Sequence, residues 1–393
     1  MHGSPREVSA LTGGACGPGS DGVKTGPART PVMADVARLA GVSHQTVSRV
    51  LNGGPNVRPA TRMRVAAAIR ELEYQPNAAA RALATRRSRA LGVIGASHGQ
   101  HGPAVILSGI EAAARAAGYS VILTAPSPGG RAGLAGCVQR LAASVDGIIV
   151  VATDADLTEA PDWIVPVVTV GSPAPGAAAS VSAGNFDGAY RATAYLLDLG
   201  HRTVHFLTGP PVSRAARDRE AGWRRALDEQ GAAAPEPLVA VDSNARSGYW
   251  AGRRLASARL DGEEPTAVLC AADPLALGLM RAVQQAGMRT PEDLSVIGFD
   301  DIPGAEFFGP ALTTVRQNFE GLGRQAFDAL LVHISAPRAP GSSVSSANTA
   351  ASVLMDLVIR NSCARRPGPP PGGSVGARPA DAERERTSRP GRR

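Results

Sequence analysis

The sequence predicts an all-α helix-turn-helix head followed by an α/β body of two doubly wound parallel-sheet subdomains. Three observations carry that expectation. Between residues 35 and 52, two short runs with helical apolar spacing flank a glycine. From residue 90 onward, short apolar runs alternate with helical patterns, as parallel strands covered by helices do. Charge is segregated: residues 1–90 hold 13 Lys or Arg against 5 acids, residues 91–360 hold 20 against 26, and residues 361–393 hold 8 against 3. Basic ends around a mildly acidic middle fit a small head that meets a polyanion, carried on an ordinary globular body.

At 393 residues the chain is too long for a head alone, so one or two further domains are expected. Residues 1–30 are rich in Gly, Pro and Ser and read as a disordered extension, and residues 361–393 as a disordered basic tail. There is no charged-then-apolar export pattern and no apolar run long enough to span a bilayer, which points to a cytoplasmic protein without a membrane partner. Cys16, Cys137, Cys270 and Cys363 are far apart and lack metal-ligand spacing, so a reduced compartment and no bound metal are expected.

In the head, assigned to residues 31–76, Val36, Ala37 and Ala40 form the apolar stripe of a first helix, because residues three and four apart share a face. Gly41 makes the turn and Ser43 caps a second helix, whose stripe is Val47, Val50 and Leu51. His44, Gln45, Ser48 and Arg49 are left pointing outward from its first turns, the arrangement with which a recognition helix enters the DNA major groove. The turn Gly53-Gly-Pro-Asn follows, then a third helix over Pro59–Leu72 with Met63, Val65, Ala66, Ile69 and Leu72 on or near its inner face. Residues 77–89 read as a linker with one more short helix, Ala78–Thr85, barely stable by itself.

The run Met33–Thr85 resembles the DNA-binding head of the lactose repressor (LacI/GalR) family. It does so through Asp35-Val-Ala, Ala40-Gly-Val-Ser, Thr46-Val-Ser-Arg-Val-Leu-Asn and Tyr74-x-Pro-Asn-x-x-Ala-Arg-x-Leu. The resemblance implies that His44, Gln45 and Arg49 touch base edges, Gln pairing with adenine and Arg with guanine. It implies that Ser43, Thr46, Ser48, Asn52 and Thr61 hold phosphates and set the register. Asn77, Ala80 and Leu83 match a hinge helix that enters the minor groove, with Leu83 as the wedge that kinks the duplex. Val32 stands where the family usually has Thr, which removes one phosphate contact and one helix cap. Read without the resemblance, His44 is equally a solvated surface residue, and Leu83 an ordinary apolar helix position.

In the body, assigned to residues 90–360, strands are expected at Leu91–Gly95, Tyr119–Thr124, Gly147–Val151, Val167–Val170, Val204–Leu207, Ala267–Cys270 and Leu294–Phe299. Helices are expected at Ser108–Ala117, Asn185–Leu199, Glu220–Gln230, Ser247–Ala258 and Pro274–Ala286. So many βα units suit two lobes with a ligand cleft between them better than one sheet. The adjacent Asp300 and Asp301 do not by themselves make an acid–base pair, and no phosphate loop, Gly-x-Ser-x-Gly or zinc spacing occurs. Binding without catalysis, and no cofactor, is the expectation.

The resemblance extends through about Arg360. It rests on Gly200-His-Arg, Arg219-x-x-Gly-Trp, Ala271-Ala-Asp-Pro-Leu-Ala-Leu-Gly, Val296-Ile-Gly-Phe-Asp-Asp and Leu312-Thr-Thr-Val-Arg-Gln. It implies a periplasmic-binding-protein-like body. The chain is expected to cross between lobes near 184–188, 314–318 and 335–345, with an N-subdomain of 90–185 and 316–335 and a C-subdomain of 186–315 and 340–360. Arg219 and Asp300 match ligand-contacting positions, donors and acceptors suited to a polyol or sugar. Ser97, His101, Ser243 and Asp273 complete the candidate set. Ala272, Ser243, Gly171 and Gly184-Asn185 depart from residues common in sugar-binding relatives. The resulting expectation is a homodimeric repressor that binds a palindromic double-stranded DNA operator under control of a small molecule, a sugar or derivative. Two alternatives stay open: a ligand-independent DNA-binding regulator with a degenerate pocket, and a cytoplasmic solute-binding protein.

Overall fold

The computed structural model describes residues 30–51, 53–75, 87–95, 101–125, 131–151, 163–210, 213–260, 265–336, 350–353 and 355–366. The chain divides after Arg86 into two compact units. The first holds α1 (Met33–Ala40), α2 (His44–Leu51) and α3 (Pro59–Glu71). Gly41 ends α1 in the left-handed conformation, φ 62°, and its N–H returns to the last turn of that helix. Val36, Ala37, Ala40, Val47, Val65, Ala68 and Tyr74 form the core of this unit, with Val50, Leu51, Ile69 and Leu72 packed at its edge. Two residues expected inside are not. Met63 is 68% exposed and Ala66 is also exposed. Met63 lies two positions from the buried Val65, a rotation of about 200° around the helix, so the two face opposite sides.

The second unit contains two six-stranded sheets. The first has the order β11-β5-β4-β3-β1-β2 and is parallel throughout. Its strands are β1 (Ala90–Gly95), β2 (Ser120–Thr124), β3 (Gly147–Val151), β4 (Val167–Val170), β5 (Ala179–Ala183) and β11 (Ala350–Val353). The second has the order β12-β10-β9-β8-β6-β7. Its strands are β6 (His205–Thr208), β7 (Leu238–Val239), β8 (Ala267–Cys270), β9 (Ser295–Asp300), β10 (Thr313–Arg316) and β12 (Asp356–Val358), and only β12 runs antiparallel. The central strands are buried apolar runs, as strands covered on both faces must be. The helices are α4 (His101–Ala116), α5 (Arg131–Ala142), α6 (Asn185–Asp198), α7 (Arg214–Glu229), α8 (Ala245–Leu260), α9 (Asp273–Gln285) and α10 (Phe319–Ser335). Among the described residues no helix is long and apolar enough to cross a membrane.

The chain passes between sheets after β5, after β10 and between β11 and β12. The first two passages lie where the sequence places them. The third is a correction: Ala350–Val353 pairs with Ala183 and its neighbours in the first sheet, so the chain returns only just before Asp356, not within 335–345. The expected starts of two helices are also too late. α4 begins at His101, and α7 at Arg214, where Ser213 Oγ accepts from the Ala216 N–H at 3.2 Å. β5, β7 and β12 are too short or too polar to stand out, and α5 carries weak periodicity.

The segment after β12 is stitched into the second sheet. Ser362 Oγ donates to Val296 O at 2.6 Å and accepts from Thr313 N at 2.8 Å. His201, buried, bridges Thr266 Oγ1 and Ser295 Oγ at 2.9 and 3.0 Å, and Ser295 Oγ accepts from Ala364 N. Arg366 N donates to Leu199 O.

Helix pairs on the sheet faces meet at glycines. A Cβ on Gly278 of α9 would fall inside van der Waals contact of Ala245 O on α8, and one on Gly248 would meet Leu275 O. Gly109 of α4 and Gly323 of α10 oppose backbone in the same way. Gly278→Ala is therefore expected to cost about 1–3 kcal/mol, because backbone cannot yield as a side chain does. Chemical denaturation of the full chain measures it, and a loss below the error of the fit would refute the close approach.

Candidate functional site

Two sets of candidate residues lie in separate units. In the head, α2 starts from Ser43, whose Oγ accepts from Thr46 N at 3.2 Å and lies 2.9 Å from Thr46 Oγ1. The cap fixes the first turn, and Val47, fully buried, fixes the rotation of the helix. His44, Gln45 and Arg49 are then exposed, Thr46 and Ser48 half-buried, and Thr61 half-buried on α3. Arg62 Nη2 donates to Gly54 O at 3.1 Å and holds the loop between α2 and α3. At the start of α1, Val32 has no side-chain acceptor, but its N–H donates to Asp35 Oδ2 at 3.0 Å; Asp35 also pairs with Arg38. Half of the lost cap is thus retained. Asn52, Asn77, Ala80 and Leu83 lie outside the described residues.

In the body, a cavity of 340 Å³ opens at the strand ends where the chain passes between lobes. His101 and Val105 of α4 and Phe319 and Glu320 of α10 line it from the first lobe; Asp300, Asp301, Arg316 and Asp356 line it from the second, with Gln317 and Asn318 on the passage between them. Asp300 closes β9 with φ 102° and Asp301 follows with φ 52°. Two successive non-glycine residues with positive φ cost of order 1–3 kcal/mol each, strain that concentrates at functional sites.

Asp300 Oδ1 accepts from Gln317 Nε2 at 2.5 Å and from Arg219 Nη2 at 3.4 Å, while its Oδ2 has no partner among the described residues. Burial pushes the Asp300 carboxyl above the usual carboxylate range, and Arg219, Gln317 and His101 pull it back. Arg219 is saturated on three sides: Nε donates to Asn185 Oδ1 at 2.8 Å, Nη1 to Ala271 O, and Nη2 to Asp300. Its guanidinium lies 4.0 Å over the Phe299 ring. Burial lowers its proton affinity and Asp300 and Asp273 raise it. Arg219 does not line the cavity; it holds Asp300, which does.

Of the remaining candidates, His101 lines the cavity, its ring edge-on to Phe319 at 6.0 Å. Ser97 lies outside the described residues. Ser243 is exposed in the turn after β7 and does not line the cavity. Asp273 is a correction: it is fully buried at the start of α9, with Oδ1 accepting from Thr314 Oγ1 at 2.6 Å and Oδ2 from Ile302 N at 2.8 Å. No face of it is left for a ligand. Its partner Thr314 belongs to β10, as does Arg316, which donates to Asp301 at 2.7 Å; Arg360 donates to the other oxygen of Asp301 at 2.7 Å. Three carboxylates therefore grip the end of β10: Asp273 at Thr314, Asp301 at Arg316 and Asp300 at Gln317. Sequence reasoning missed Gln317, Asn185 and Phe319. A polar residue at the carboxyl end of a parallel strand, as Gln317 is after β10, is the signal that could have found it. Among the described residues no group of His, Cys, Asp or Glu is placed to hold a metal.

Residues 32–77 match the family of bacterial regulatory proteins, lacI family, and residues 193–363 match a periplasmic binding protein-like domain. The HTH-type transcriptional repressor PurR of Vibrio cholerae serotype O1 (strain M66-2) is 36% identical over 309 residues, 76% of this chain and 90% of that protein. The lactose operon repressor of Escherichia coli (strain K12) is 36% identical over 304 residues, 76% of this chain and 83% of that protein. The crystal structure of the Lac repressor dimer bound to operator and the anti-inducer ONPF superposes with a TM-score of 0.73 at 31% identity, over 86% of this chain and all of that one. With a fold, a head and relatives that agree along most of its length, the chain belongs to the lacI family of bacterial regulatory proteins, DNA-binding transcription repressors with a helix-turn-helix head and a periplasmic-binding-protein-like body.

Proposed function

We propose that the chain represses transcription as a homodimer on a near-palindromic operator, and that a small polyhydroxylated molecule, a sugar or derivative, controls it from the cavity between the lobes. The observation that carries the DNA reading is the exposure of His44, Gln45 and Arg49 on a helix whose rotation Val47 fixes. Arg and Gln in this setting read base edges through paired hydrogen bonds. The solved Lac repressor dimer with operator and anti-inducer supports the assembly and the ligand. In the same reading Asn77, Ala80 and Leu83 form a hinge that enters the minor groove. The cavity supports a ligand rich in hydroxyl groups: Asp300, Asp301, Glu320 and Asp356 supply acceptors, and Asp300 Oδ2 has no partner among the described residues.

The internal saturation of Arg219 favours a second reading, a regulator whose DNA binding no metabolite alters. Footprinting on the gene's own upstream region with a panel of sugars separates the two. A protected palindrome released or strengthened by one sugar supports ligand control; a palindrome indifferent to every sugar supports the second reading; no protected sequence anywhere in the genome overturns both. Arg49→Ala is expected to weaken operator binding by about 1–3 kcal/mol and to relax the preference at one base pair in each half-site. A uniform loss across all sequences would reassign Arg49 to a phosphate.

A further inference from the structure

We infer that Asp146 is a positioning residue for DNA binding: it fixes the direction in which the chain leaves the body towards the head. The inference rests on the DNA-binding reading above.

Asp146 lies in the turn before β3. Its Oδ1 accepts from Ser88 N at 2.7 Å and Ser88 Oγ at 2.9 Å, and its Oδ2 accepts from Arg89 N at 3.1 Å. Its own N–H donates to Ala90 O at 2.8 Å. One carboxylate with its amide therefore takes hold of three consecutive residues. Arg89 is left-handed, φ 54°, a conformation that non-glycine residues disfavour. The chain is bent against its preference at this point, and the charge-assisted bonds to Asp146 offset the cost.

The flanking residues are tied elsewhere in the same lobe. Arg89 Nη1 donates to Ala117 O at 3.3 Å and its guanidinium lies 5.2 Å over the Tyr119 ring. Arg87 Nη2 donates to Ile334 O at 3.1 Å, in the last turn of α10. β1 needs none of this, since it is held between β2 and β3 along its length. What the contacts add is the heading of residues 87–89, the only covalent route to the head.

The other end of α10 carries the meaning. Phe319 and Glu320 at its start line the ligand cavity, and Ile334 near its end holds Arg87. The helix spans roughly 25 Å at 1.5 Å per residue. Asp146 clamps residues 88–89 to the sheet while α10 holds residue 87, so any movement of α10 against the sheet changes the heading of the linker. In a dimer both heads must point correctly at once, because the gain from linking two binding modules vanishes when their geometry forbids joint engagement.

The test uses the full chain and a duplex site selected by the wild type from a random pool, made as the full inverted repeat and as a single half-site. Asp146→Ala is expected to lower the ratio of full-site to half-site affinity by about tenfold or more, with half-site affinity nearly unchanged. Asp146→Asn keeps one acceptor for Ser88 and is expected to recover part of the ratio. Thermal unfolding of each variant separates repositioning from collapse of the lobe, and Asp146→Asn decides the matter if the alanine variant does not fold. An unchanged ratio in a folded variant overturns the inference alone. A wild type that selects no site overturns the DNA-binding reading and the inference with it.

Discussion

Arg219→Ala is expected to lower the unfolding free energy of the body by about 3–5 kcal/mol, the loss typical of removing one partner from a buried ion pair. The side chain is 14% exposed and its partner Asp300 16%. Without the guanidinium, the buried Asp300 carboxyl is left with its bond to Gln317 and the weaker influence of His101, and Asn185 Oδ1 and Ala271 O lose their donor. Lysine should not rescue the loss, since a single ammonium cannot reach three acceptors held in a fork around a planar group. Adding Asp300→Asn should recover part of it by removing the orphaned charge, so the double variant should be less damaged than the sum of the singles. Chemical denaturation of the four proteins measures the cycle. A loss under 1 kcal/mol for Arg219→Ala, or strict additivity, would falsify the pairing.

Asp273 should make the body's stability depend on pH in an unusual direction. Burial lifts its carboxyl from 3.8 to about 7; the neighbouring Asp300 and Asp301 charges add to the rise, and Thr314 and Ile302 N–H oppose it. An unfolded chain loses this proton near 3.8, whereas the folded one keeps it to about 7. Across that interval unfolding releases a proton, so this group's contribution falls as pH rises and is fully present only below the unfolded value. A displacement of this size is worth about 4 kcal/mol at most. Asp273→Asn imitates the protonated side chain: its oxygen accepts from Ile302 N while its amide donates to Thr314 Oγ1, whose hydroxyl can rotate. The variant should be more stable than the wild type at pH 8, and the gap should narrow as pH falls below about 7 and close only below 3.8. Denaturation midpoints at several pH values settle it, and parallel curves would rule out the elevated carboxyl.

Legibility followed burial and spacing. β1, β3, β4, β8 and β9 read plainly because their runs are dominated by apolar residues, which leave a strand few alternatives. Gly41 and Ser43 read because a left-handed turn and a helix cap each demand a narrow set of residues. β11 and β12 did not, for a strand of three or four residues at a sheet edge carries too little apolar signal to separate it from a loop. At the site, Asp300 was legible through its match to ligand-contacting positions of the resembled family. Asp273 was misplaced because sequence gives the residue type, whereas accessibility depends on Thr314 and Ile302, more than 25 residues away in the chain. Asp146 was invisible because most of its partners are backbone groups, whose identity no sequence pattern records.

The stitching of residues 360–366 into the second sheet sets where this protein can be cut or extended. A fusion junction placed at Ile359 would strip Ser362 from Val296 and Thr313 and leave His201 facing Ser295 without the Ala364 contact. A junction placed after Arg366 spares every one of those bonds. The last residues of the second lobe are thus its closing stitch, although in sequence they run straight into the Pro-rich, Arg-rich stretch that follows.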